Sequence, residues 1–305
     1  REINTILENL VKEKYAGKSV AFNVTGGTKP MAIAAQAAAF YNDCPYFYVN
    51  HSSNEIQIHT PQEDFSDIPV IKLTLKDYLN VHGYEMQPKP SSDMKYSPAK
   101  ALRDNLVKDA NLFSKAIGNL NWLAHKAETA KSLEVEVPEH ILKDENFNRI
   151  LDDFIGKGLV SLRGNLMTFT DEDARTFANG GWLEDHVYDI IRKISPQDFG
   201  KNIKINNSRF GSENELDVIF LAKNRLHLIE CKTKKFDEDG EKGRDTLYKL
   251  DSLSELGGLN TKGMLVSYRK LDEHTRRRAK DLQIKVIDAS QLMNLENQIR
   301  TWISQ

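Results

Sequence analysis

Three charged residues interrupt the two apolar runs of ELDVIFLAKNRLHLIECKT, residues 215–233. They are Asp217 in the first run and Glu230 and Lys232 in the second. Carboxylates and ammonium groups are rarely buried unless they are paired or hold a metal. Because side chains alternate between the two faces of a strand, Glu230 and Lys232 share one face while Cys231 points away. The segment therefore predicts a charged site within a sheet.

The polar break between the two runs predicts a hairpin that brings the charged residues together. If residues 223–224 form its loop, Asp217 lies opposite Glu230. If residues 224–225 form it, Asp217 lies opposite Lys232. Both registers place Asp217 on the face of the other two, and a one-residue slip would also turn every apolar residue the wrong way.

Two carboxylates a few ångströms apart repel each other, and a divalent cation relieves that repulsion. We expect Mn²⁺ or Mg²⁺ there, because both ions prefer oxygen ligands. The carbonyl of Cys231 can complete the oxygen shell. Such an ion would activate a water, while Lys232 would position that water or stabilise charge on a phosphate. The competing interpretation is a surface salt bridge between Asp217 and Lys232.

A further acid, Glu184, borders the apolar stripe of a helix predicted to begin at residue 181, three residues before Val187 and seven before Ile191. From that edge its carboxylate could reach the same metal. Alternatively, it complements the helix dipole from the first turn.

A glycine-rich turn stands near the start, in NVTGGTKPMA, residues 23–32. A strand, a Gly-Gly turn and a helix follow one another, and amides at a helix N-terminus attract anions. Gly26 and Gly27 allow close approach of a ligand, Thr28 can cap the helix, and Lys29 adds charge. The turn lacks the Walker A spacing and, considered alone, is also compatible with plain architecture.

The sequence predicts three segments in the chain that positions these residues. Residues 1–90 predict a parallel, Rossmann-like α/β sheet with too few strands, so we expect an N-terminal truncation. QPKPSSDMKYSP, residues 87–98, predicts a linker. Residues 99–178 predict helices and a hairpin turning at Gly164 and Asn165, as in a winged helix that serves as a spacer or a DNA reader. We favour the spacer. Residues 179–305 predict a second α/β domain.

The composition excludes several classes of protein. The chain has 305 residues and a net charge of −2, so nucleic acid could bind only to a local patch. Two cysteines favour a reducing, cytoplasmic location over a disulfide framework, and no apolar run predicts a membrane span. One helix carries a basic cluster that is either a phosphate contact or a solvated face, made of Arg276, Arg277, Arg278 and Lys280.

The acids and Glu230-Cys231-Lys232 resemble the PD-(D/E)xK restriction-endonuclease-like nucleases, with Leu216-Asp217 in place of Pro-Asp. Together with the T-G-G-T-K turn and the segment order, the chain resembles the CARF-domain CRISPR ancillary nucleases. The resemblance implies a homodimer whose sensor binds a cyclic oligoadenylate, usually cyclic tetra-adenylate. It also implies a metal-dependent nuclease that acts on DNA or on single-stranded DNA and RNA. The implied catalytic set is Glu184, Asp217, Glu230 and Lys232, and the implied ring-binding residues are Thr25, Gly26, Gly27, Thr28 and Lys29.

Two other functions compete with that expectation. A ligand-responsive transcriptional regulator would bind DNA through the winged helix and would use the nuclease fold as a scaffold. It would have no need of Asp217, Glu230 and Lys232 together. A restriction or repair endonuclease would cleave without a second messenger, and the glycine-rich turn would then be unexplained.

Overall fold

The protein is described from a computed structural model. The described residues are 2–50, 53, 55–60, 66–87, 99–207, 213–234, 241–256 and 261–305. Apart from Gln87, the predicted linker lies outside them. The chain divides into two compact units, Arg1–Lys72 and Leu73–Gln305. No helix in the described ranges has the length and apolar character needed to cross a membrane.

The first unit holds a four-stranded sheet. Its elements are α1 (Glu2–Asn9), β1 (Phe22–Asn23), α2 (Lys29–Tyr41), β2 (Tyr46–Asn50), β3 (Glu55–His59) and β4 (Ser66–Pro69). The strand order is β1-β2-β3-β4, parallel between β1 and β2 and antiparallel elsewhere. The predicted parallel sheet is therefore correct for β1 and β2 and wrong for β3, and β4 is a strand that the sequence did not predict. Only residues 51–54 join β2 to β3, which is too short for the crossover that parallel strands require.

The second unit contains the remaining elements. Its helices are α3 (Leu75–Val81), α4 (Lys100–Lys108), α5 (Ala110–Thr129), α6 (Glu139–Leu142), α7 (Glu145–Gly156), α8 (Glu172–Thr176), α9 (Trp182–Ile194), α10 (Glu241–Leu256), α11 (Glu273–Asp281) and α12 (Leu295–Ser304). Its strands are β5 (Tyr84–Met86), β6 (Glu134–Glu136), β7 (Val160–Arg163), β8 (Leu166–Phe169), β9 (Asp198–Asn207), β10 (Glu213–Ala222), β11 (Arg225–Lys232), β12 (Lys262–Ser267) and β13 (Lys285–Ile287).

A six-stranded sheet with the order β13-β12-β11-β10-β9-β5 forms the centre of this unit. β9, β10 and β11 pair antiparallel, while β11, β12 and β13 pair parallel and are joined by the crossover helices α10 and α11. The alternation of β10 is visible in its packing. Val218 and Phe220 face the core that contains α9 and α12, whereas Ile219 and Leu221 face the core that contains α3, α10 and α11. Helices therefore cover both faces of the sheet.

The segment from Leu73 to Met86 belongs to this second unit, not to the first. Leu75 and Leu79 pack in one core with Ile219, and β5 pairs with β9 at the edge of the sheet. The predicted first domain, residues 1–90, thus extends past the end of the first compact unit. The three-residue strand β5 is too short to produce a periodic signal in the sequence.

The middle segment has the element order of a winged helix: α5, β6, α6, α7 and then the hairpin of β7 and β8. The strands β6, β7 and β8 form one sheet. The predicted hairpin turn is confirmed, with Gly164 at a φ of 61°. In a DNA-binding helix-turn-helix the second helix, here α7, enters the major groove. The charged residues that α7 exposes are Glu145, Arg149, Asp152 and Asp153, which carry a net negative charge. A negative surface repels DNA phosphates, so this helix favours the spacer.

Candidate functional site

The hairpin of β10 and β11 adopts the first of the two predicted registers. Its pairs run from Ala222↔Arg225 to Val218↔Ile229, so residues 223–224 form the loop. Both loop residues have positive φ, 53° and 55°, as a type I′ turn requires. Continuing the register by one pair places Asp217 across from Glu230.

The two strands separate just beyond Val218, and we call this opening the fork. Its boundary is visible in the hydrogen bonds of β11. Lys232 directs its carbonyl towards β12, where it accepts from the Tyr268 amide at 2.8 Å. Cys231 directs its own amide the other way and donates to Asp217 Oδ2 at 2.8 Å. Because the amide and carbonyl of a strand residue point to the same side, the Cys231 carbonyl also faces the fork.

Glu230 is a buried carboxylate held by two ammonium groups. Its side chain is 3% exposed, and Oε1 lies 2.6 Å from Lys232 Nζ and 3.4 Å from Lys249 Nζ. A buried carboxylate is tolerable only with such partners. The alternative of a surface pair between Asp217 and Lys232 does not fit, because Lys232 pairs with the buried Glu230.

Glu184 is placed by the first turn of α9, next to the buried residues Leu183 and Val187. The helix begins against the end of β11 because Gly180 (φ 126°) leaves room for the Thr233 hydroxyl, which would lie 2.5 Å from a Cβ at that position. The same hydroxyl donates to the Asn121 side-chain oxygen at 2.8 Å. These contacts hold the start of α9 beside the fork.

The pKa values indicate a site that resists full ionisation. Burial raises the pKa of Glu184 to about 8, and the charge of Asp217 adds to the shift. Burial, with the charge of Glu230, raises the pKa of Asp217 to about 6. For Lys232, burial lowers the pKa, but Glu230 and Asp217 outweigh it and the net shift is upward. Lys232 therefore stays charged beside carboxyl groups that titrate near neutrality.

The donor atoms fit a hard divalent cation. Among the described residues no three acidic, histidine or cysteine side chains converge into a ready-made metal-binding cluster. The fork nevertheless offers carboxylates and one backbone carbonyl, all of them oxygen donors, and a cation would relieve the repulsion between Asp217 and its acidic neighbours. Burial raises the pKa of the Cys231 thiol, and a hard cation prefers oxygen to sulfur, so the carbonyl is the donor that this residue offers. The assignment of metal ligands stays a prediction, and it comprises Glu184, Asp217, Glu230 and Cys231.

The glycine-rich turn forms an exposed entry to α2. Gly27 has a φ of 83°, a conformation that favours glycine, and Pro30 occupies the first turn of the helix. Thr28 is the N-cap residue but makes no capping hydrogen bond with its side chain. The Thr25 hydroxyl instead accepts from the Val49 amide at 2.8 Å and ties the turn to β2. Gly26, Gly27, Thr28 and Lys29 are exposed and accessible to a ligand.

Two family models match the chain. Residues 2–78 match the Card1 CARF domain, and residues 171–305 match the Card1-like endonuclease domain. The structure is also similar to that of protein VC1899 from Vibrio cholerae, with 30% sequence identity over 99% of this chain and 80% of the other and a TM-score of 0.86. The chain belongs to the Card1 family.

A second solved structure is Can2 from Sulfobacillus thermosulfidooxidans in complex with cyclic tetra-adenylate. It shares 30% sequence identity over 99% of this chain and 79% of that chain, with a TM-score of 0.75. No curated protein sequence matches the chain. As a member of the Card1 family, the protein is a nuclease with an N-terminal CARF domain and a C-terminal endonuclease domain, and the fork lies in the latter. The predicted fold class and the prediction of a nuclease are thus confirmed.

Lys249 is a residue of the site that the sequence did not predict. It comes from α10, whose Leu247 and Leu250 are buried in the core below the sheet, and it reaches Glu230 from that side. Its spacing from the E-x-K residues carries no signal, because only the packing of α10 on β11 brings them together.

We expect Lys249→Met to lower kcat for nucleic-acid cleavage by roughly 3- to 10-fold with little change in KM. The substitution removes one of the two ammonium groups that hold the Glu230 carboxylate in position. The Lys249 side chain is 44% exposed, so its ion pair contributes at most about 1 kcal/mol to the free energy of unfolding. The melting temperature should therefore barely move. Lys249→Arg keeps the charge and should restore kcat, and equal losses in both variants would contradict this role.

The basic cluster of this Card1-family nuclease is not a continuous patch. Arg276 pairs with the buried Asp288, and Arg278 stacks on the ring of Tyr248. Arg277 lies 3.9 Å from Glu273 on its own helix. These contacts favour the interpretation of a structural and solvated helix face for the arginines.

Proposed function

We propose that this protein is a divalent-metal-dependent nuclease of type III CRISPR antiviral defence, activated by a cyclic oligoadenylate. The observation that carries the proposal is the fork, where Asp217, Glu230 and Lys232 converge beside Glu184. Membership of the Card1 family supports it, as does the similarity to Can2, whose structure contains cyclic tetra-adenylate. The proposed reactions are the nicking of DNA and the cleavage of single-stranded DNA and RNA. The proposed location is the cytoplasm.

In the proposed active site, Glu184, Asp217, Glu230 and the Cys231 carbonyl hold Mn²⁺ or Mg²⁺. The bound cation supplies Lewis acidity towards a phosphate and lowers the pKa of a water. Lys232, oriented by Glu230 at 2.6 Å, donates to a non-bridging phosphate oxygen or to the attacking water. The Cys231 amide holds Asp217 in place.

In the proposed sensor, Thr25, Gly26, Gly27, Thr28 and Lys29 contact the ring. The amides at the start of α2 and the ammonium group of Lys29 would bind its phosphates. Activation is then a population shift, in which the ring binds the active arrangement of a homodimer better than the inactive one.

The second candidate function is a transcriptional regulator that binds DNA through the winged helix. The acidic surface of α7 disfavours it, since three of the four charged residues exposed there are carboxylates. An ungated endonuclease is the other alternative, and the experiment below separates the three.

We expect the full chain to cut supercoiled plasmid or single-stranded oligonucleotides with Mn²⁺ only when cyclic tetra-adenylate is added. Lys29→Ala should raise the ring concentration for half-maximal activity about 10-fold or more, because a hydrogen bond to a charged group contributes about 1.5–3 kcal/mol. Cleavage without the ring would favour the ungated endonuclease. DNA binding without any cleavage would favour the regulator.

A further inference from the structure

A basic hollow lies at the end of the nuclease sheet opposite the fork. Its volume is about 480 Å³. Arg225, Lys262 and Lys285 line it, and they are the first residues of the adjacent strands β11, β12 and β13. Since these strands run parallel, their first residues lie at the same end of the sheet, and the start of each strand is offset by two residues from the start of its neighbour. Lys280, from the last turn of α11, adds a fourth cation.

The three lysines of the hollow are not compensated by acidic groups that line it. No carboxylate side chain lines it among the described residues. Lys262, Lys280 and Lys285 make no ion pair with any residue of the described ranges. Lys262 donates to the Trp302 carbonyl at 3.3 Å, and its pKa is lowered by burial and by the charge of Arg225. An anion would relieve this repulsion between cations.

The hollow offers charge but no stacking surface. Trp302 lines it but is only 6% exposed, and Ile284 is likewise buried. The residues that line the hollow expose no aromatic face on which a base could stack. Phosphates could instead contact the cations at this end of the sheet. This combination suits contacts to a nucleic-acid backbone, which position a strand without reading its sequence.

We propose that this hollow is an exosite for the phosphate groups of the nucleic-acid strand on which the nuclease acts. The inference rests on the proposed function, since it takes nucleic acid as the substrate. β11 runs from Arg225 at the hollow to Lys232 at the fork, and seven residue steps of roughly 3.3 Å span about 23 Å. At about 3.4 Å per nucleotide in a B-form strand, that distance corresponds to roughly 7 nucleotides. A strand bound at both points is held far more firmly than one bound at the fork alone.

The test uses the full chain with Lys280→Gln and Lys285→Gln combined, without divalent metal so that the strand stays intact. Fluorescence anisotropy measures binding of a thymidine oligonucleotide of about 30 nucleotides at a series of salt concentrations. Loss of two phosphate contacts should reduce the slope of log K against log [salt] by about 1.4, at about 0.7 for each contact. The matched control combines Lys108→Gln and Lys157→Gln, which removes the same charge from exposed sites on α4 and after α7 and should keep the wild-type slope.

A strand of about 4 nucleotides is too short to reach from the fork to the hollow, so the two double variants should bind it equally. An unchanged slope with the long strand would overturn the exosite, and so would an equal loss in the control. Stabilisation of the wild type by adenosine monophosphate, lost in the Lys280/Lys285 variant while the slope is unchanged, would assign the hollow to a free nucleotide. The proposed function fails separately, if the wild type with Mn²⁺ and the ring cuts nothing.

Discussion

Glu230→Gln should abolish nucleic-acid cleavage, with a loss of at least about 10²–10³-fold in kcat, because the substitution removes a charge from the reacting centre. The amide is nearly isosteric with the carboxylate. Its oxygen can still accept from Lys232 and Lys249, so the packing around the buried side chain is preserved. We therefore expect the melting temperature and the affinity for cyclic tetra-adenylate to stay near their wild-type values. Cleavage, thermal unfolding and ring binding measured on one preparation check this.

Lys232→Met should cause a comparable loss, since it removes the cation nearest to Glu230. Glu213→Gln is the matched control, because Glu213 lies on the neighbouring strand β10, is exposed and pairs with Lys204 at 3.5 Å away from the fork. The control should cut at the wild-type rate. If both fork variants cut as well as the control, the active site lies elsewhere.

A divalent cation should stabilise the protein, and more strongly at alkaline than at acidic pH. The pKa of Glu184 is raised from its ordinary 4.5 to about 8, so the folded state binds this proton more tightly than the unfolded state. Its contribution to stability is present below about pH 4.5 and is lost as the pH rises towards 8. Asp217, with a pKa raised to about 6, acts in the same direction below that pH.

Between about pH 6 and pH 8, Glu184 alone should cost the metal-free protein up to roughly 3 kcal/mol, at 1.36 kcal/mol per pKa unit. This corresponds to a fall of about 5–10 °C in melting temperature. Mn²⁺ should reverse the fall, because it binds the ionised carboxylates. Thermal unfolding at several pH values, with Mn²⁺ or with a chelator, measures both effects.

Glu184→Gln is the control for this pH dependence, since it removes the titrating group and should flatten the metal-free curve above about pH 6. Two results would contradict the prediction. One is a metal-free melting temperature that stays constant between about pH 6 and 8. The other is an equal effect of Mn²⁺ at both ends of that range.

The charged residues of the hairpin could be predicted from the sequence because strand alternation is a local rule. It places Asp217 with Glu230 and Lys232 in either of two registers, and the structure has the first. Periodicity could not predict the fork, because it depends on where the pairing of β10 and β11 stops. The hydrogen bond from the Cys231 amide to Asp217 follows from that separation.

Other features of the structure could not be predicted from the sequence, because they depend on contacts between residues that are distant along the chain. The short connection at residues 51–54 forces β3 antiparallel to β2, a constraint that strand propensity does not express. Leu75 and Leu79 lie within the predicted first domain, residues 1–90, yet their burial partners lie on the sheet of the second unit. Lys249 reaches Glu230 only through the packing of α10.

The middle segment and the nuclease domain share one hydrophobic core. Phe113, Leu120 and Phe154 of the winged helix belong to the same cluster as Trp182 and Val218. Removing either part would expose the apolar surface of the other, so we expect residues 99–305 to unfold in a single cooperative transition. The winged helix therefore cannot act as a flexible tether. A shared close-packed interior resists deformation, so the middle segment and the nuclease domain should respond as one stiff body to any ligand that binds either of them.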